Sequence, residues 1–180
     1  KSEARGLASF AMGTEAADQT GNPLGLYTVA NGDYSFAVGM GAVTTPASIA
    51  GIAIGLNSTA DGYAASAIGV NNYSEGIFTS SIGTNNYTNG SYSLTLGSND
   101  TVVAANSMAI GFGAKVYGQS AMAIGTNVNA SGISSAAIGF NSEATGNYSS
   151  ALGHFVSTND YTGSWIFGDF STVTTTNNTA

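Results

Sequence analysis

Ser107-Met108-Ala109-Ile110-Gly111 is followed, fourteen residues on, by Ala121-Met122-Ala123-Ile124-Gly125 and then by Ser135-Ala136-Ala137-Ile138-Gly139. Read outward from there, the closing glycine recurs at Gly13, Gly39, Gly55, Gly69, Gly83, Gly97, Gly111, Gly125, Gly139, Gly153 and Gly168. The successive steps are 26, 16, seven of 14 and one of 15, a regularity that marks a repeat architecture. The residue before each glycine is large and apolar, from Met12 and Val38 to Leu152 and Phe167. The residue two before is small, from Ala11 to Ala151, with Ile166 the exception.

A second glycine stands seven residues before most of these, as in Gly62, Gly76, Gly90, Gly118, Gly132 and Gly146. Glycine every seven residues is a poor helix, at about 1 kcal/mol each relative to alanine. The stretches between are short and alternate at period two, which is the strand signature. Each repeat therefore reads as a coil of two short strands and two turns, with coils stacked about 4.8 Å apart and about ten coils in all. Asn57, Asn71, Asn85, Asn99, Asn127 and Asn141 follow the main glycine by two residues. Asparagine tolerates the left-handed turn conformation, and a column of them predicts an amide ladder. The residue before the glycine is expected to point inward as an aliphatic column. Phe10, Phe36, Leu94, Met108 and Met122, three before it, are placed among the inner columns too. A fourteen-residue coil buries little apolar area for its backbone entropy, so a lone roll is expected to be marginal and the composition hints at an oligomer.

Charged residues are 7% of the 180, and the net charge is −7, with three Lys and Arg against ten Asp and Glu. A nucleic-acid partner is excluded on that balance, because phosphate contacts need a basic surface. There is no cysteine, hence no disulfide and no thiolate metal site. No apolar run reaches a membrane-spanning length. The opening Lys1-Ser2-Glu3-Ala4-Arg5-Gly6 does not read as a signal peptide, and the chain reads as a piece of a longer one. Along it, residues 1–13 read as an N-terminal coil, 14–34 as an insertion or loop, 35–168 as regular repeats and 169–180 as a linker. Trp165, Ile166 and Phe167, the bulkiest cluster, are expected to plug one end of the roll.

The repeats resemble the head domains of YadA-like trimeric autotransporter adhesins, whose signature is Asn-Ser-Val-Ala-Ile-Gly-x-x-Ser. Asn106-Ser107-Met108-Ala109-Ile110-Gly111 matches it except at Met108, and the similarity runs from about Ser9 to Gly168. The resemblance implies an all-β, left-handed parallel β-roll packed as a homotrimer, exposed on the bacterial cell surface and anchored in the outer membrane. It implies attachment to a host cell-surface or extracellular-matrix protein, a glycan or a partner bacterium. It also implies ligand contact at the signature repeat, here Asn106, Ser107, Met108, Ala109, Ile110 and Gly111.

No residue set suits catalysis. His154 is the single histidine and sits beside Gly153 at a turn. The acidic residues are scattered, with no calcium-roll or EF-hand spacing. The reading is a non-enzyme with no cofactor and no metal. Candidate ligand-binding residues are the aromatics at shared repeat positions in adjacent coils, Tyr73 with Tyr87 and Phe78 with Tyr92. Either pair could instead pack between rolls. An ice-binding solenoid is the first alternative, although Thr is scattered rather than arrayed. A phage or surface-layer fibre is the second, and the sequence does not separate it from an adhesin. A hexapeptide acyltransferase helix is excluded by its period of eighteen.

Overall fold

A computed structural model of the chain describes residues 2–14 and 25–169. It is an all-β parallel solenoid of about ten turns of about fourteen residues. The chain divides into two compact units, Lys1–Thr88 and Asn89–Ala180, and each has two parallel sheets.

In the first unit, the long strands are Phe10–Met12, Phe36–Val38, Ile52–Leu56, Ser66–Val70 and Ser80–Thr84. The short ones are Ser2–Ala4, Thr28–Ala30, Val43–Thr44, Thr59–Ala60, Tyr73–Ser74 and Tyr87–Thr88. In the second unit, the long strands are Leu94–Ser98, Met108–Phe112, Met122–Thr126, Ala136–Phe140, Ser150–His154 and Trp165–Asp169. Its short strands are Thr101–Val102, Lys115–Val116, Asn129–Ala130 and Glu143–Ala144. Like residues pair with like: Ile110 with Ile124 and Gly111 with Gly125 in one sheet, Val116 with Ala130 in the other. The repeat thus sets the register directly.

Thr28–Ala30, within the insertion expected over 14–34, is a strand paired with Ser2–Ala4 and Val43–Thr44. Residues 15–24 of that insertion lie outside the described residues. Asp169 ends the last long strand, and the rest of the linker expected over 169–180 is also outside them.

The inward and outward faces are the reverse of the expectation for the large residues. Ala67, Ala109, Ala123, Ala137 and Ala151, two before the glycine, are fully buried. Ile68, Ile110, Ile124 and Ile138, just before it, are half-buried on the outer face, and so are Leu94, Met108 and Met122; Phe10 and Phe36 are exposed there. Volume decides this. Two strands of a fourteen-residue coil lie too close for isoleucine to face isoleucine, so the interior is filled mainly by Ala, Ser, Thr and Val. The end cluster divides between the same two faces. Ile166 fills the alanine position inside, while Trp165 and Phe167 stand on the outer face, 71% and 85% exposed. They do not form a plug.

The inner serines join successive coils. Ser107 Oγ donates to the Gly118 carbonyl (3.0 Å) and accepts the Ala121 amide (3.2 Å). Ser142 Oγ does the same with Gly153 O (2.9 Å) and Val156 N (3.4 Å). Buried hydroxyls so paired stabilise the roll rather than weaken it.

The two glycine turns are glycine for different reasons. At Gly69 the backbone takes φ +123°, and a Cβ there would lie 2.0 Å from the Gly83 carbonyl oxygen. At Gly132 no positive φ is needed, but a Cβ would lie 2.0 Å from Gly146 O. In that second turn the left-handed residue comes two places later and is not glycine: Ala64, Phe78, Tyr92, Ser120, Ser134 and Tyr148 have φ of 50–58°.

Candidate functional site

The outer face of the short strands carries the first candidate pair. Tyr73 and Tyr87 occupy paired positions, and their rings stack with centroids 5.8 Å apart and planes 16° from parallel. Each phenol is tied one coil back: Tyr73 OH donates to Asp61 Oδ2 (2.8 Å) and Tyr87 OH to Glu75 Oε2 (2.7 Å). Thr45 Oγ1 donates in turn to Asp61. The bond to Asp61, with burial and that carboxylate's charge behind it, pushes the Tyr73 hydroxyl up to about 12. The phenol therefore keeps its proton, and its ring orientation, at any physiological pH. The twelve-residue Asp61–Tyr73 and Glu75–Tyr87 spacings become neighbours only once the fourteen-residue register is known. The sequence reading therefore missed both carboxylates.

Phe78 and Tyr92 sit at the left-handed position of their turns, 50% and 63% exposed. Phe78 makes an edge contact with Tyr63, centroids 5.5 Å apart. A bulky residue at positive φ is a conformational outlier costing on the order of 1–3 kcal/mol. Asparagine takes the same place at Asn106 (φ 57°) at little strain.

The signature stretch divides between inside and outside. Asn106 is exposed, and Met108, Ile110 and Gly111 are half-buried. Ser107 and Ala109 lie in the core, 4% and 0% exposed, and present nothing to a ligand. Their contribution is to the coil. His154 stacks on Phe140, centroids 4.8 Å apart, and meets Phe155 edge-on at 4.6 Å. Among the described residues no three His, Cys, Asp or Glu side chains come together.

The Asn ladder forms in the first unit: Asn57 Nδ2 donates to Asn71 Oδ1 and Asn71 Nδ2 to Asn85 Oδ1, both 3.1 Å. In the second unit Gly113 stands between Asn99 and Asn127 in the repeat, and Asn99 Nδ2 donates to Ser98 Oγ instead (3.3 Å). Around that position runs a groove of about 540 Å³ lined by Asn99, Phe112, Gly113, Lys115, Asn127, Val128, Asn129, Asn141 and Glu143.

One interior position carries a charge. Asp100 is fully buried, at the repeat position that Asn72 and Asn86 hold in the first unit, where amides bond backbone carbonyls, Asn72 Nδ2 to Ile68 O and Gly83 O at 2.7 Å each. Burial raises the Asp100 carboxyl above its ordinary value, although the Ala114 amide (2.8 Å to Oδ1) and those of Gly111 and Gly113 oppose it. A carboxyl raised by folding resists ionisation only in the folded state. Its destabilising effect is therefore absent below the unfolded value near 3.8, grows as pH rises, and is complete above the folded value. Asp100→Asn should melt higher than the wild type at pH 7, and the gap should shrink to nothing as the pH is lowered below that unfolded value. Thermal melts of both proteins across this range check it, and a variant less stable at pH 7 contradicts it.

Residues 24–42, 104–127 and 130–155 match the family model of the YadA head domain repeat. No curated protein matches the chain. That repeat in the sequence, and the parallel β-solenoid built from it, support a YadA-like head domain.

Proposed function

We propose that this domain is the head of a trimeric autotransporter adhesin, a left-handed roll displayed at the bacterial surface, which attaches the cell to host surfaces, matrix or other bacteria without catalysis. The observation that carries this reading is the contrast between the two outward faces. The long strands turn Ile, Met, Leu, Phe and Trp outward, as with Met108 and Ile110 on one strand. The short strands turn out Thr59, Tyr73 and Tyr87 in the first unit, and Thr101, Lys115, Asn129 and Glu143 in the second. An apolar face of this extent suits burial against other rolls. That leaves the polar and aromatic face for a ligand. The mixed short-strand face is not the regular threonine array of an ice-binding surface.

Within this reading Tyr73 and Tyr87 are contact residues, held rigid by Asp61 and Glu75. Phe78 and Tyr92 are contact residues at strained turns, where asparagine would be the more stable choice. Three heads on one stalk would multiply weak contacts.

The test is attachment of epithelial cells, matrix-coated beads and bacteria to the immobilised chain. Wild-type protein should retain at least one of these. The Tyr73→Ser/Tyr87→Ser double variant should lose about tenfold or more of that attachment while keeping its circular dichroism. Failure to retain any of the three removes the adhesin reading.

A further inference from the structure

The groove at Gly113 differs from the rest of the surface in how its polar groups are used. In the first unit polar groups are spent on one another: the Asn57, Asn71 and Asn85 amides form a ladder, and Asp61 and Glu75 accept from tyrosines. In the groove they are not. Among the described residues, Lys115, Asn127, Asn129, Asn141 and Glu143 form no side-chain hydrogen bond or ion pair. The Asn129 Oδ1 is moreover out of reach of solvent with no partner. Gly113 creates the space. It keeps the left-handed turn (φ 66°) but carries no amide, and a Cβ there would come within 2.7 Å of Asn127 Oδ1. Phe112, 51% exposed, borders the gap with an apolar ring.

We infer that this groove binds an uncharged saccharide chain, a ligand class that deepens the adhesin reading and rests on it. Sugar hydroxyls both donate and accept, and an amide offers both on one planar group. The amides repeat at the strand spacing of about 4.8 Å along the groove, which suits successive sugar units better than a single small ligand. The ring of Phe112 offers a surface to sugar C–H groups. The volume is within the roughly 300–1,000 Å³ of ligand sites. Charge selects the class: Lys115 and Glu143 balance each other within the groove, and a chain of net charge −7 repels anionic polysaccharide.

The experiment uses the full chain with two probe sets, neutral hexose and N-acetylhexosamine tetrasaccharides and their carboxylated counterparts, read by saturation-transfer NMR and calorimetry. A neutral probe should bind with an affinity that is unchanged between low and high salt. Gly113→Asn should weaken it about tenfold or more. Asparagine is at home at this φ, as at Asn57 and Asn71 (50° and 53°), so the variant should fold with its melting temperature held while its amide fills the gap. Lys115→Ser, an exposed change, should weaken the same probe. Binding of carboxylated probes alone, no binding of any probe, or full binding by a folded Gly113→Asn protein each overturns the inference. Attachment assays keep the two ideas apart. Cell or bacterial attachment that persists in Gly113→Asn removes the groove and leaves the adhesin. Sugar binding without any attachment removes the adhesin and leaves the groove. Loss of attachment after enzymatic deglycosylation of host cells, or only with partner bacteria, tells host glycan from bacterial polysaccharide.

Discussion

Gly125→Ala should unfold the second unit. Gly125 has φ +135°, outside the small left-handed region that asparagine reaches, and its missing Cβ would fall 1.9 Å from the Gly139 carbonyl oxygen and 2.8 Å from its carbon. Both obstacles are backbone, and that backbone is itself fixed by pairing Gly125 with Gly111 and Gly139. Nothing can yield without breaking the ladder. A loss above about 4 kcal/mol follows, which is a large part of the 5–15 kcal/mol that holds a typical domain. Gly113→Ala is the control. It too needs positive φ, but its Cβ meets only the far end of the Asn127 side chain, so the loss should stay near the 1–2 kcal/mol of left-handed alanine. Urea titrations of the two variants give the comparison. A Gly125→Ala protein with a midpoint close to that of the wild type would show that the corner is not what limits this fold.

The pair of variants also shows what the sequence could and could not say. The fourteen-residue step at Gly111, Gly125 and Gly139 announced stacked coils, and with them the register and the Asn57–Asn71–Asn85 ladder, because each depends on spacing alone. The direction of the side chains does not. Alternation at Ala109-Ile110-Gly111 defines two faces and is silent on which is inside. Hydrophobicity favours isoleucine, but the coil has room only for Ala109, and that is a fact of volume. The same gap hid the function of Ser107, whose hydroxyl bridges Gly118 and Ala121. Its place in a signature motif suggested a ligand contact until the interior was seen to need it. The strained turns escaped for a related reason. Glycine marks the close approach at Gly62 and Gly90, while the residue that takes positive φ comes two places later, at Ala64 and Tyr92, where composition gives no warning.

A chain with Ile110 and Ile124 both replaced by Glu should lose its partners. These side chains lie side by side on the outer face of the long strands, paired in register and half-buried with no second layer of this chain over them. In a trimer packed through that face, the two substitutions would bring six carboxylates into a desolvated interface around a three-fold axis. Like charges there repel, and each must also give up its water. Sedimentation of the wild type should give three times the 17.9 kDa of one chain over a wide concentration range, and the double variant should sediment as one chain. Its melting temperature should fall with the mass, because association stabilises only the folded form, and a core of Ala, Ser, Thr and Val buries little by itself. Thr101→Glu, on the short-strand face, should leave both mass and melting unchanged. If the double variant keeps the trimer mass and Thr101→Glu loses it, the polar face is the interface. The Ile-, Met- and Phe-bearing face is then the surface turned toward ligands.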